Sequence, residues 1–140
     1  MTDSATTGER IVATLRGRVP GLVAVYRFGS SGTEAERTSS DLDLAVLTDP
    51  PLGAADRTRL RWEIAETVAA LVGRDVDLVD LGSASSVLRA RIVVTGTRLW
   101  CGDTALAERF EDYVLSSYAR LNEERAGILR DIHERGRIRG

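Results

Sequence analysis

Apolar and polar positions change period several times along the chain, and each change marks an element. Ile11, Val12, Leu15 and Val19 recur at helical spacing before Pro20-Gly21, which predicts an opening helix over about 8–18 that ends in a turn. Leu22 to Phe28 is β-branched and aromatic, as a buried strand requires, and it runs straight into Gly29-Ser30. Residues 31–40 carry no apolar periodicity and read as an exposed loop or a short turn of helix. From Asp41 to Leu47 the pattern alternates, placing Leu42, Leu44 and Val46 on one face and Asp41 and Asp43 on the other. Thr48-Asp49-Pro50-Pro51 closes that strand.

From Ala54 to Val72 the stripe Leu60, Ile64, Val68 and Leu71 runs between charged positions, predicting an amphipathic helix that Gly73 stops. Asp75 to Leu81 is a third strand pattern, with acidic residues interleaved. Ser83 is a cap for a helix through about Thr95, with Leu88 and Ile92 one turn apart, and Gly96 ends it before a short Thr97–Trp100 strand. Leu106, Phe110, Val114, Leu121, Ile128 and Ile132 trace one face of a long final helix from about 103 to 135, which is expected first of all to pack on the core. Trp62, off the best stripe of its helix and so open to partial exposure, and Trp100, at a strand end, are both expected to serve the core more than a base-stacking platform. No repeat, low-complexity stretch or linker divides the chain, so residues 1–140 are expected to form a single domain.

Composition narrows the function. With 43% apolar and 29% charged residues, the chain is an ordinary globular sequence. A net charge of -2 gives no support to direct nucleic-acid binding, which grows with the number of phosphates neutralised. All 19 basic residues are arginine, so any positive protein group that grips a phosphate is a guanidinium or a backbone N–H. Cys101 is the only cysteine, which excludes an intrachain disulfide and a cysteine metal cage. The first residues have no basic start followed by an apolar stretch, and no apolar run approaches membrane length; the expectation is a cytoplasmic protein without a membrane. His133, the one histidine, is assigned no chemistry.

The chemistry lies in residues 29 to 43. Carboxylates two apart on a strand project the same way, so Asp41 and Asp43 crowd two negative charges, at a cost unless cations bind. Oxygen ligands of this hardness suit Mg2+ or Mn2+, which share their coordination with substrate phosphates and water. Gly29 has no side chain to keep a polyphosphate away, and Ser30 offers a hydroxyl and a backbone N–H to phosphate oxygens. A two-metal clamp needs a third carboxylate. Strand parity favours Asp77; Asp75 shares its face and can simply start the strand, whereas Asp80 faces the opposite way and suits a solvated or capping role.

Phe28-Gly29-Ser30, ten residues, then Ser40-Asp41-Leu42-Asp43-Leu44 resembles the fingerprint of the DNA polymerase beta-like nucleotidyltransferases. Val76-Asp77-Leu78-Val79 is similar to the family's third metal-binding strand, and the stretch from residue 84 onward resembles minimal nucleotidyltransferase antitoxins of the MntA type. The resemblance implies an α/β (α+β) nucleotidyltransferase fold, a small mixed β-sheet flanked by helices with a long C-terminal helix. It implies ATP as substrate and two Mg2+ ions, with Asp41 and Asp43 binding both and Asp77 completing one site and helping deprotonate the acceptor hydroxyl. It further implies transfer of AMP to a tyrosine of a HEPN-family (HepT-like) ribonuclease toxin, held with this chain in a hetero-oligomer. Two alternatives remain open: an aminoglycoside-type small-molecule acceptor, or an inactive antitoxin that works by contact alone. Family members often place arginines directly after the Gly-Ser pair, where this chain has Ser31, Gly32, Thr33 and Glu34, with Arg37 the remaining basic residue; Arg27 is a candidate replacement.

Overall fold

The computed structural model describes the backbone of residues 4–29 and 41–139 and the side chains of 7–29, 41–128 and 130. Ser30 and the expected loop over 31–40 lie outside the described residues, as do the side chains of Ile132 and His133.

The elements run α1 (Ser4–Arg18), β1 (Leu22–Phe28), β2 (Leu42–Thr48), α2 (Ala54–Arg59), a π-helical turn (Leu60–Ile64), α3 (Ala65–Val72), β3 (Val76–Asp80), a 3-10 turn (Leu81–Ser83), α4 (Ser86–Thr95), β4 (Thr97–Cys101) and α5 (Thr104–Arg139). The four strands form one mixed sheet in the order β3-β2-β1-β4. β1 pairs antiparallel with β2 and β4, whereas β2 pairs parallel with β3 through the helical crossover of residues 54–72.

Alternation along the strands divides the core into two layers. Leu42, Leu44 and Val46 of β2 join Val25, Leu78, Leu15 of α1, and Leu60, Ile64 and Val68 of the crossover helix in one apolar cluster. Ala45 and Leu47 point the other way, joining Tyr26, Phe28, Leu81, Ile92 of α4 and Ala107 of α5. Burying a Leu- or Ile-sized side chain stabilises by about 1.5–3 kcal/mol, so the two layers together hold the sheet between its helices. Tyr26 ties α5 to the sheet: its hydroxyl donates to Glu111 Oε2 at 2.6 Å, and Arg98 of β4 meets the same oxygen at 3.2 Å. Burial, reinforced by Glu111, holds the Tyr26 phenol neutral well above the usual tyrosine range.

Several expectations change. Ser83 does not cap α4; Ser85 does, accepting from the Leu88 N–H, while Ser83 donates to Asp80. The helix starts later because Asp80 accepts from Gly82 N and organises a 3-10 turn first. Trp62 is not in the core: it is 68% exposed, on the outer side of the π-helical turn whose Leu60 and Ile64 are buried. Ile128 is 60% exposed because α5, at 36 residues, is about 54 Å long at 1.5 Å per residue and outruns the sheet it packs on. Gly73 does stop the crossover helix, in the left-handed conformation at φ 73° with its N–H on Ala69 O. No helix among the described residues is long and apolar enough to cross a membrane.

Candidate active site

β1, β2 and β3 bring the acidic strands and the glycine turn to one end of the sheet. Phe28 is the register partner of Asp43, and Asp43 is the register partner of Asp77 on the parallel neighbour. Cross-strand partners share a face, so Asp43 and Asp77 stand side by side on the face that carries α4 and α5. Asp41 is exposed and lies one residue before β2 begins, at the mouth of the same end. Of the three carboxylates named from the sequence, the fold places Asp43 and Asp77 in one ladder and Asp41 just before it.

Gly29 sits where β1 ends, with φ at 84°, a conformation that any residue with a Cβ adopts only under strain. A Cβ placed there would overlap Asp43 Oδ2. The glycine thus does two things: it turns the chain out of β1, and it lets the backbone press against the Asp43 carboxylate.

The electrostatics follow from this crowding. Asp43 is half-buried, and its carboxyl is raised above the ordinary aspartate range, first by burial and then by the negative charges of Asp77 and Asp41. Arg91 on α4 and Arg74 before β3 pull it back down. Sequence reading missed both arginines. They are remote from the Gly-Ser and Asp-x-Asp stretches along the chain, and only the packing of α4 and the crossover carries them to Asp43. Arg27 does not serve in their place: it pairs in register with Leu44, so it belongs to the opposite face from Asp43.

Among the described residues, no group of three or more His, Cys, Asp or Glu side chains is arranged to hold a metal ion. Asp43 and Asp77 are a pair of adjacent hard oxygen donors with Asp41 close by. Their chemistry fits a divalent cation that takes one or two protein carboxylates and completes its coordination with substrate phosphates. The raised Asp43 carboxyl fits the same reading, since a cation would offset both the burial and the repulsion from Asp77 and Asp41 that raise it.

A cleft of about 520 Å³ opens beside Asp77. One wall is β3 from Asp77 to Asp80; the other is Arg57, Arg61 and Trp62 of the crossover helix. The other two acidic residues of the third strand region are placed differently. Asp75 is exposed just before β3, and Asp80 is occupied in the 3-10 turn, as strand parity led one to expect.

Comparison with known proteins agrees with this geometry. A family model for polymerase beta nucleotidyltransferases matches residues 9–105. The chain is 38% identical over 124 residues to the protein adenylyltransferase MntA of Shewanella oneidensis, covering 89% of this chain and 86% of that protein. Two solved structures are similar: a toxin–antitoxin complex with AMP-PNP, at 38% identity and a TM-score of 0.74, covering 89% of this chain and 97% of that one; and a tri-AMPylated Shewanella oneidensis HEPN toxin in complex with its MNT antitoxin, at 36% identity and a TM-score of 0.70, covering 90% and 95%. With the mixed sheet, the glycine turn and the paired aspartates in place, the chain belongs to the polymerase beta nucleotidyltransferase family.

Proposed function

We propose that this protein is an antitoxin that transfers AMP from ATP to a tyrosine of a HEPN-family ribonuclease toxin and thereby silences it. The observation that carries the reading is the register pair Asp43–Asp77 with Gly29 against Asp43, in a chain whose likeness to an adenylyltransferase antitoxin covers 89% of its length. The whole chain acts as one minimal nucleotidyltransferase domain in the cytoplasm, where ATP and a ribonuclease toxin meet.

Gly29 and Ser30 bind the phosphate end of ATP, the glycine by leaving room and the serine by its hydroxyl and N–H. Asp41, Asp43 and Asp77 would hold two Mg2+ ions, which when bound would supply positive charge to the phosphates and to the attacking oxygen. Arg91, whose charge acts on Asp43, adds a guanidinium near the polyphosphate and so makes up for the missing arginines after the Gly-Ser pair. The tyrosine oxygen of the partner attacks the α-phosphorus of ATP, and the bond from that phosphorus to the β-bridging oxygen breaks. Pyrophosphate leaves, AMP stays on the tyrosine, and Asp77 accepts the phenolic proton.

The test is co-expression with the HEPN toxin followed by incubation with Mg2+ and α-phosphate-labelled ATP. Label on the toxin that disappears with Asp41→Asn and with Asp43→Asn is the expected result. Equal labelling by both variants would falsify the assignment, and variants that still protect cells without labelling would favour neutralisation by contact.

A further inference from the structure

β3 is an edge strand. It pairs with β2 on one side, and among the described residues no other strand pairs with its second side. Leu42 N donates to Asp75 O, so by alternation Asp75, Asp77 and Val79 turn their backbone groups toward β2. Val76 and Leu78 therefore turn theirs outward, as does the Asp80 N–H, in a row that an extended chain can pair with; the Asp80 carbonyl already accepts from Ser83 Oγ at 3.4 Å. The cleft lies against that row. Asp77 to Asp80 form its inner wall, and Arg57, Arg61 and the 68% exposed Trp62 form the outer one. Its volume of about 520 Å³ is within the roughly 300–1,000 Å³ usual for binding sites.

Two further features connect this groove to the reaction. Among the described residues Trp62 is the most exposed of the large apolar side chains, and it is carried by a π-helical turn, a local irregularity frequently found at functional sites. The geometry of displacement supplies the second. Gly29, which marks the phosphate flank, lies beyond Asp43 from β3, in the order β1-β2-β3. Attacking and leaving oxygens lie roughly in line across the phosphorus. An acceptor thus approaches from the flank opposite the polyphosphate, which is the Asp77 side, where the cleft opens.

We infer that the acceptor segment of the partner protein docks as an extended strand along the free edge of β3, packing a side chain on Trp62 and presenting its tyrosine hydroxyl at Asp77. The inference rests on the proposed AMP transfer for its purpose, but its recognition elements are separate from the catalytic carboxylates. Backbone pairing supplies affinity irrespective of sequence, and the groove between Trp62 and Leu88 supplies the side-chain preference.

The test uses the full-length chain with its co-expressed HEPN toxin as the probe. Amide hydrogen exchange of Val76, Leu78 and Asp80 should slow by about tenfold on complex formation, more than the already paired amides of Asp77 and Val79. Trp62 fluorescence should shift to the blue, a shift absent from Trp62→Phe. Trp62→Ala and Arg61→Ala should raise KM for the toxin roughly tenfold while leaving ATP affinity unchanged. Protection confined to other elements, with Trp62 emission unmoved and toxin KM unaltered, overturns the docking mode even if AMP is transferred. Protection at β3 without any transfer sustains the docking mode and refutes the proposed chemistry instead.

Discussion

Replacing Asp43 with asparagine should make the cation-free protein more stable while abolishing transfer. Asp43 is in register with Asp77, and neighbouring strands lie about 4.8 Å apart. Two unit charges about 5 Å apart repel by roughly 0.8 kcal/mol in water and roughly 3 kcal/mol at an effective dielectric of about 20. Asp77 is exposed and Asp43 only half-buried, so solvent screening favours the lower figure. Together with the relieved burial of a charge, the gain is about 1 kcal/mol, or about 3 °C in Tm for a chain of this size.

The pH dependence has a definite sign. The folded Asp43 carboxyl is raised, so between the ordinary aspartate value and the raised one the folded state holds a proton that the unfolded chain has released. That contribution to stability is complete below the unfolded value and is lost as pH rises through the folded one. The advantage of Asp43→Asn is therefore full at neutral pH and shrinks on acidification. Circular-dichroism melts in chelator from pH 4 to pH 8, repeated with Mg2+, measure it. Mg2+ should raise the Tm of the unsubstituted protein and erase its deficit. A variant that melts at or below the unsubstituted protein at neutral pH in chelator, or whose advantage grows as pH falls, refutes the reasoning.

Four other outcomes are expected. Gly29→Ala forces a Cβ into φ 84° and into Asp43 Oδ2, and should cost about 1–3 kcal/mol by urea denaturation with loss of AMP transfer; full activity at unchanged stability contradicts the assigned role. Tyr26→Phe removes the 2.6 Å bond to Glu111 and should destabilise by about 1–2 kcal/mol, an effect that fades above the usual tyrosine range as the unfolded phenol ionises. Arg91→Ala should raise KM for ATP roughly fivefold with little change in Tm, since the side chain is exposed. Leu44→Ala, at a fully buried position between the sheet and the crossover helix, should cost about 2–5 kcal/mol.

Much of this protein was legible in the chain itself because its information is local. Period-two alternation put Leu42, Leu44 and Val46 on one face and Asp43 on the other, and the two apolar clusters follow that division. Parity also separated Asp77 from Asp80, and Asp80 is indeed taken up by a turn. Short-range competition was harder to read: Ser83 and Ser85 both suit an N-cap, and only the Asp80 turn decides that Ser85 serves.

Other features depend on what packs against what. No sequence period says that β3 lies parallel to β2 with Asp77 opposite Asp43; that pairing requires the crossover helix to return the chain to the same end of the sheet. The same packing exposes Trp62, brings the charge of Arg91 to bear on Asp43 and leaves β3 at the edge. Alternation and turn residues act over two to four neighbours, so the sequence by itself determined which residues face together and where strands end. Register, edge position and electrostatic neighbourhood are sums over segments distant along the chain, and the tertiary structure alone decided them.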